Sequence, residues 1–214
     1  MLSHRKIGTF PLVVPINTII FDEASQIEVG DYLPMLNRYH TTLGKLVFIG
    51  DHRQLAPYGQ DDVGNLQSIF DFPHMHNKAI FLGIQYRMPH VIGEFISRHV
   101  YDRRLQTQHS ITSRSACRFV DVLNGKEEKS GKSWVNRKEA GIVVNICRIY
   151  EKQSKAFRVI TPYDAQRSLI EKELESAKLK WENKCFNVDS FQGNEDEHII
   201  ISLVRSEGVG FLKN

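Results

Sequence analysis

Residues 17–26 read NTIIFDEASQ, and the fold is decided by how that run ends. A short apolar run bounded by polar residues reads as a strand buried on both faces, the kind found in parallel sheets. Ligands of open α/β sheets bind at the carboxyl edge of their strands, and this strand delivers Asp22 and Glu23 there. Residues 45–57, KLVFIGDHRQLAP, repeat the arrangement: an apolar strand, a glycine turn and a polar loop closed by Pro57. That loop brings Asp51 and Gln54 towards the same edge.

Working outward, short apolar runs alternate with longer helical patterns, which predicts an α/β fold with a mostly parallel sheet. The expected strands are 17–21, 45–49, 79–84, 118–122, 157–161 and 198–204. Between them, Val91, Ile92, Phe95, Ile96 and Val100 recur at helical spacing after Pro89, which sits where a missing N–H costs little. Asn136 reads as the N-cap of a helix whose apolar positions include Ala140, Val143, Val144 and Ile149. A further helix is expected to start at Asp164 and run through Leu169 and Leu174 towards Lys180. The charged, glycine-containing stretch 124–132 reads as an exposed loop.

Composition sets broad limits. The chain has 214 residues, 41% hydrophobic and 25% charged, with a net charge of +3, values ordinary for a globular protein. Mild basicity permits a nucleic-acid partner without arguing for one. Cys117, Cys147 and Cys185 are widely spaced and odd in number, which reads as reduced thiols rather than disulfides or a zinc site. No apolar run approaches the roughly 18 residues of a membrane helix. The opening MLSHRKIGTFPLVVP lacks a cleavage site for a signal peptide. A soluble cytoplasmic or nuclear protein is expected.

The chemistry sits at the strand ends. Asp22 is placed to hold Mg²⁺ through a water, and Glu23 to orient and deprotonate a water attacking a γ-phosphate. The same pair would also suit the first turn of a helix. Gln54 carries an amide that both donates and accepts, suited to a γ-phosphate or the attacking water; the alternative is a solvated side chain on a strand exit.

DEASQ and GDHRQLAP resemble motifs II and III of superfamily 1 helicases, and the order continues with QYRM at 85–88, TPYDAQ at 161–166 and VDSFQGNEDEHIIISLVRS at 188–206. The succession is similar to the 5′-to-3′ branch that contains the nonsense-mediated-decay RNA helicase, and it covers nearly the whole chain. The resemblance implies P-loop NTPase architecture: two RecA-like parallel sheets flanked by helices, with ATP in the cleft between them and single-stranded RNA or DNA across the top. Residues 1–77 would be the carboxy-terminal part of a first, incomplete RecA-like domain. Residues 78–214 would be a nearly complete second one, lacking its last motif.

By the same resemblance, Arg87 reaches the γ-phosphate, where a guanidinium suits charge on a transferring phosphoryl group. Tyr86 packs on the adenine, Glu195 hydrogen-bonds the ribose, and Asp51 counts among the nucleotide-binding residues. Thr161, Gln192 and Gly193 would serve the nucleic-acid backbone, which gives affinity without reading sequence. Plainer readings stand beside these: a surface pair for Tyr86 and Arg87, loop stabilisation for Thr161 and Gln192. The implied cofactors are ATP and Mg²⁺. No residue identified reads a base or a 2′-hydroxyl, so RNA and DNA both stay open.

NGKEEKSGKS at 124–133 imitates a phosphate loop, but five residues separate Gly125 from Gly131 where that loop requires four. Glu127 and Glu128 would also oppose phosphate binding. His74 and His76 have no partner pair at metal-finger spacing. About twenty residues precede DEASQ, too few for a phosphate loop with its strand and helix, and the chain stops at Lys213–Asn214 before the family's arginine-bearing motif. The expectation is therefore a motor segment truncated at both ends, with negligible ATPase activity alone and its missing segments or accessory domains supplied by a longer protein. The competing reading is a helicase-like relic, an interaction module without ATP turnover.

Overall fold

The computed structural model describes residues 14–57, 59 and 63–208. The amino-terminal segment read as lacking a signal peptide lies outside the described residues up to position 13, as do Lys213 and Asn214. Two compact units are present, one reaching to Arg118 and the other starting at Phe119.

In the first unit, β1 (Thr18–Phe21) pairs in parallel with β2 (Lys45–Phe48), Thr18 opposite Lys45 and Phe21 opposite Phe48. Parallel neighbours need a crossover, supplied by two 3₁₀ turns and helix α1 (Leu33–Tyr39). Buried Ile19, Met35 and Tyr39 join the strand to the helix, with Ile16, Leu36, Leu43 and Leu46 packed around them. Tyr32 meets Phe21 edge-on at 4.7 Å and Phe48 at 5.4 Å, while Phe21 and Phe48 stack at 5.3 Å. Each aromatic pair adds about 0.5–1.5 kcal/mol beyond its buried area. The expectation of strands covered on both faces is corrected here: Ile20 is 62% exposed, because helical cover lies on one side of a two-stranded sheet.

Further along, β3 (Ile84–Gln85) pairs in parallel with β4 (Gln106–Thr107) around helix α2 (His90–His99). The strand expected over 79–84 shrinks to its end. Ile80 and Leu82 are 87% and 77% exposed, and residues 79–82 join no ladder among the described residues, while the Gly83 carbonyl accepts from the Gln106 N–H at 2.7 Å.

Residues 118–122, expected as a strand, run from the end of the first unit into the second and join no ladder among the described residues. The stretch read as a loop instead starts an antiparallel hairpin, β5 (Glu128–Ser130) with β6 (Ser133–Val135). Gly131 supplies the left-handed turn at φ 61, and β6 buries Val135. Helix α3 (Arg137–Lys152) begins as expected, the Asn136 side chain accepting from the Glu139 N–H at 3.1 Å. Helix α4 (Asp164–Ser176) follows β7 (Arg158–Ile160). Strands β8 (Cys185–Phe186) and β9 (Ile199–Ile201) flank β7 in parallel, in the order β8-β7-β9.

The core of this unit joins Ala140, Val143, Val144 and Cys147 of α3 to Ile170 and Leu174 of α4, over Phe157, Val159, Cys185 and Ile200. Each fully buried Ile, Leu, Val or Phe stabilises by about 1.5–3 kcal/mol. Asn136, Thr161, Gln166 and Ser202 are polar residues enclosed with this core. The Gln166 carbonyl accepts from the Asn136 N–H at 2.9 Å, and its amide donates to the Asn136 carbonyl at 3.2 Å and the Ser202 hydroxyl at 3.0 Å. A buried amide satisfied in this way fixes register between α4, β9 and the cap of α3.

Candidate functional site

The register of β1 and β2 sets the first cluster. With Phe21 opposite Phe48, the loops that follow leave one edge together. The Ile49 N–H donates to the Phe21 carbonyl at 2.8 Å, and the Ala24 N–H returns a bond to the Ile49 carbonyl at 2.8 Å. The Ser25 hydroxyl, nearly buried, accepts from the Asp51 N–H at 3.3 Å. Gly50 permits this approach: a Cβ there would lie 2.8 Å from the Ser25 nitrogen and 3.0 Å from that of Ala24. DEAS and GD therefore act as one built edge, tied by backbone bonds that motif spelling alone does not reveal.

Within it, Asp22 is exposed and accepts from the Glu23 N–H at 3.0 Å. Glu23 itself adopts the left-handed conformation, φ 50 and ψ 38, a geometry costing a non-glycine residue roughly 1–2 kcal/mol. Its Oε2 accepts from the Gln26 amide at 3.2 Å. Strain held by neighbouring bonds at such a carboxylate is the pattern of a preorganised site. The Gln54 side chain donates to Asp51 Oδ2 at 2.9 Å, and the Arg53 N–H donates to Asp51 Oδ1 at 3.0 Å.

QYRM is organised by its glutamine. Gln85 accepts from the Met88 N–H at 2.7 Å and donates to the Met88 carbonyl at 2.9 Å and the Thr107 hydroxyl at 2.8 Å. The side chain thereby closes the loop bearing Tyr86 and Arg87, both exposed. Gln85 and Thr107 were not singled out from sequence; parallel pairing of β3 with β4 brings them together.

In the second unit, Gln192 and Gly193 follow the short helix Val188–Phe191, which is closed by a capping box between Asn187 and Ser190. Gly193 is exposed at φ 75, and the Gln192 amide nitrogen is buried without a hydrogen-bond partner. Glu195 is exposed, and Asp196 beside it pairs with Arg158 of β7 at 2.9 Å. Thr161 is enclosed, 0% exposed, so its hydroxyl faces protein and not solvent. Two carboxylates hold the segment after β9. Glu139 accepts from the Leu203 and Val204 N–H groups at 2.7 and 2.9 Å, with Val204 at φ 70. Glu127 accepts from the Arg205 Nε at 3.0 Å and from the Ser206 and Glu207 N–H groups at 2.6 and 3.0 Å. Arg205 first, then the Glu207 N–H, pull the Glu127 carboxyl down to about 2. The charge that argued against a phosphate loop is thus spent on a structural anchor.

Mg²⁺ asks for hard oxygen ligands and keeps several waters of its own. Asp22, an exposed carboxylate at the strand end, fits one such contact, and no cluster of three or more His, Cys, Asp or Glu residues suited to a metal occurs among the described residues. Small parallel sheets flanked by helices, with carboxylates and amides at their carboxyl ends, are consistent with a domain of P-loop NTPase type. A family model described as an AAA domain matches residues 66–214, and the chain belongs to that family within the superfamily 1 helicases.

Relatives agree in kind. The chain is 31% identical to the mouse protein named probable helicase senataxin, over 93% of its own length and 9% of the relative's. It is 30% identical to an uncharacterized ATP-dependent helicase of Methanocaldococcus jannaschii, over 92% of the chain and 33% of that protein. It is 32% identical to the Arabidopsis thaliana homolog of regulator of nonsense transcripts 1, over 92% of the chain and 18% of the relative. The chain therefore spans a third or less of these relatives. No helix among the described residues is long and apolar enough to cross a membrane.

Proposed function

We propose that the chain forms part of an ATP-dependent motor that couples hydrolysis to movement on single-stranded RNA or DNA, in the cytoplasm or nucleus. Residues 1–77 belong in this reading to a first RecA-like domain and residues 78–214 to a second. The observation that carries it is the in-register pairing of β1 with β2, which brings the Asp22–Glu23 pair and the Asp51–Gln54 loop to one edge.

Asp22 would hold Mg²⁺, which when bound offsets negative charge on phosphate oxygens. Glu23 would take a proton from the attacking water while Gln54 orients it, and Arg87 would face the charge on the transferring phosphoryl group. Tyr86 offers a ring for the adenine, Glu195 an acceptor for the ribose, and Asp51 holds Gln54. Gln192 and Gly193 belong to the nucleic-acid side. Thr161, 0% exposed, would serve that side by stabilising its loop and not by touching a phosphate. The 214 residues contain no phosphate loop, so the polypeptide alone is expected to turn over ATP at background level.

Binding tests the reading directly. A labelled single-stranded RNA or DNA oligonucleotide should raise its anisotropy on titration with the chain and bind less tightly as salt rises. No binding at low salt to either oligonucleotide would overturn the nucleic-acid assignment. Robust Mg²⁺-dependent ATP hydrolysis lost in Glu23→Gln would overturn the expectation of background turnover.

A further inference from the structure

The loop that carries Gln54 is not held by its own strand alone. Asp51 Oδ2, which accepts the Gln54 amide at 2.9 Å, also accepts a short hydrogen bond from the Tyr101 hydroxyl. Two residues on, Arg53 reaches the same segment from the opposite direction. Its guanidinium donates to the Val100 carbonyl at 2.7 Å and to Asp102 Oδ2 at 2.7 Å. Residues 51–53 and 100–102 therefore interlock: a carboxylate accepts from one side and a guanidinium donates from the other.

The receiving segment is itself tightly specified. It terminates α2, the helix that follows QYRM. Asp102 and Arg103 are consecutive left-handed residues at φ 53 and 64, a conformation that non-glycine residues enter singly and at a cost. The turn is held by the Arg103 N–H on the Ser97 carbonyl at 2.7 Å and the Ser97 hydroxyl on the Leu105 carbonyl at 2.7 Å. Ser97 is nearly buried. A turn held in this shape presents the Tyr101 hydroxyl and the Asp102 carboxylate to the Gln54 loop as a fixed pair. Burial first, and then Asp51, push the Tyr101 phenol up to about 12, consistent with a hydroxyl that donates permanently.

We infer that Tyr101 and Arg53 are positioning residues for Gln54: through Asp51 they set where its carboxamide points, and so tie the candidate water-orienting group to the end of the helix that follows Arg87. The inference rests on the proposed role of Gln54 for its functional meaning, while the linkage itself stands on the contacts above. The direction of control follows from the shared oxygen. With Tyr101 in place, Asp51 is fixed and the Gln54 amide is docked. Withdrawal of the 100–102 segment removes the Tyr101 bond from Asp51 Oδ2 and leaves the carboxylate to the bonds of its own loop, so the Gln54 amide is held less firmly.

The test uses the intact 214-residue chain without nucleotide. The side-chain NH₂ signals of Gln54, assigned by nitrogen-resolved NMR through a Gln54→Asn control, should be dispersed and slow to exchange with water. Tyr101→Phe and Arg53→Ala should each move them towards free-glutamine positions and raise their exchange at least several-fold. The methyl signals of Ile19 and Met35 should stay in place. In Asp51→Asn the labelled Tyr101 ring should titrate lower than in the unaltered chain, with burial still holding it above the ordinary value of 10.0. Should Tyr101→Phe unfold the chain, Arg53→Ala and Asp102→Asn decide the matter, since the Arg53 and Asp102 side chains are 41% and 67% exposed. Unchanged Gln54 signals in folded Arg53→Ala and Asp102→Asn overturn the inference. That result leaves the helicase reading untouched, because no nucleotide or nucleic acid enters the experiment; failed oligonucleotide binding would do the reverse.

Discussion

Replacing Gln166 by Met removes one amide while keeping an unbranched side chain of similar length, so the change is polar rather than volumetric. The three bonds it breaks are not equal. The Asn136 carbonyl keeps the Ala140 N–H of the first helical turn at 3.0 Å, and the Ser202 hydroxyl can rotate to seek another acceptor. The Asn136 N–H has no such recourse: its bond to Gln166 is lost at a residue only 4% exposed. An orphaned buried donor costs about 1–3 kcal/mol, and each ordinary bond lost about 0.5–1.5 kcal/mol. The sum for Gln166→Met is about 2–6 kcal/mol, offset in part by the apolar surface that methionine buries. Against the ~5–15 kcal/mol that typically stabilises a domain, that loss is large. Urea unfolding followed by far-ultraviolet circular dichroism should show the midpoint fall with an unchanged slope. Ser202→Ala should cost less, and the double variant less than the sum of the singles. A loss under about 0.5 kcal/mol, within the range of ordinary surface substitutions, would show that water or a neighbour satisfies the Asn136 N–H, refuting the reasoning.

Three further outcomes are expected. Alanine at a helical glycine usually stabilises by roughly 0.5–1 kcal/mol, yet Gly93→Ala should destabilise. Its Cβ would collide with the Thr107 hydroxyl and lie 2.7 Å from the Gln85 amide; thermal melting reads the sign, and a raised melting temperature would contradict the packing. For Glu127, the folded carboxyl sits near 2 against an ordinary 4.5, so its contribution is complete above about 4.5 and is lost as pH falls through about 2. Carboxyl-carbon NMR should find Glu127 still ionised at pH 3.5 in folded chain, and an ordinary titration would remove the anchor. Finally, burial pushes the Cys147 and Cys185 thiols up to about 12, while Cys117 is exposed. A thiol reagent at neutral pH should label Cys117 rapidly and the other two only on unfolding; three equally fast thiols would contradict the core.

Local pattern carried the helices into view. Asn136 could be read as a cap because its side chain and the apolar spacing of α3 act within a few residues, and the same holds for α2 and α4. The longer parallel strands were legible, at 18–21, 45–48, 158–160 and 199–201, whereas the two-residue strands β4 and β8 were not. Residues 79–82 are as apolar, and 118–122 carry Phe119, Val120 and Val122 between charges, but strand formation needs a partner ladder, and apolar composition says nothing of whether one arrives. The hairpin escaped notice because charges dominate its outer strand, and Gly131 was weighed as part of a false phosphate loop. At the candidate site the motifs named the carboxylates and amides. They did not show Ser25 against Asp51, or Tyr101 and Arg53 around Gln54, since these contacts join positions 26 to 50 residues apart. Resemblance put Thr161 among the nucleic-acid contacts with loop stabilisation as the plainer reading, and its side chain is enclosed, 0% exposed.

The Glu127 anchor also bears on the order in which the chain folds. Its partners Arg205, Ser206 and Glu207 lie 78 to 80 residues downstream, so the contact closes a loop that encompasses α3, β7, α4, β8 and β9. Loop-closure entropy makes such a contact late unless nearer contacts have already shortened the distance. During synthesis the hairpin can meet α4 first, the Ser133 hydroxyl accepting from the Ala165 N–H at 3.3 Å, but its Glu127 anchor waits until β9 and the residues beyond it have left the ribosome.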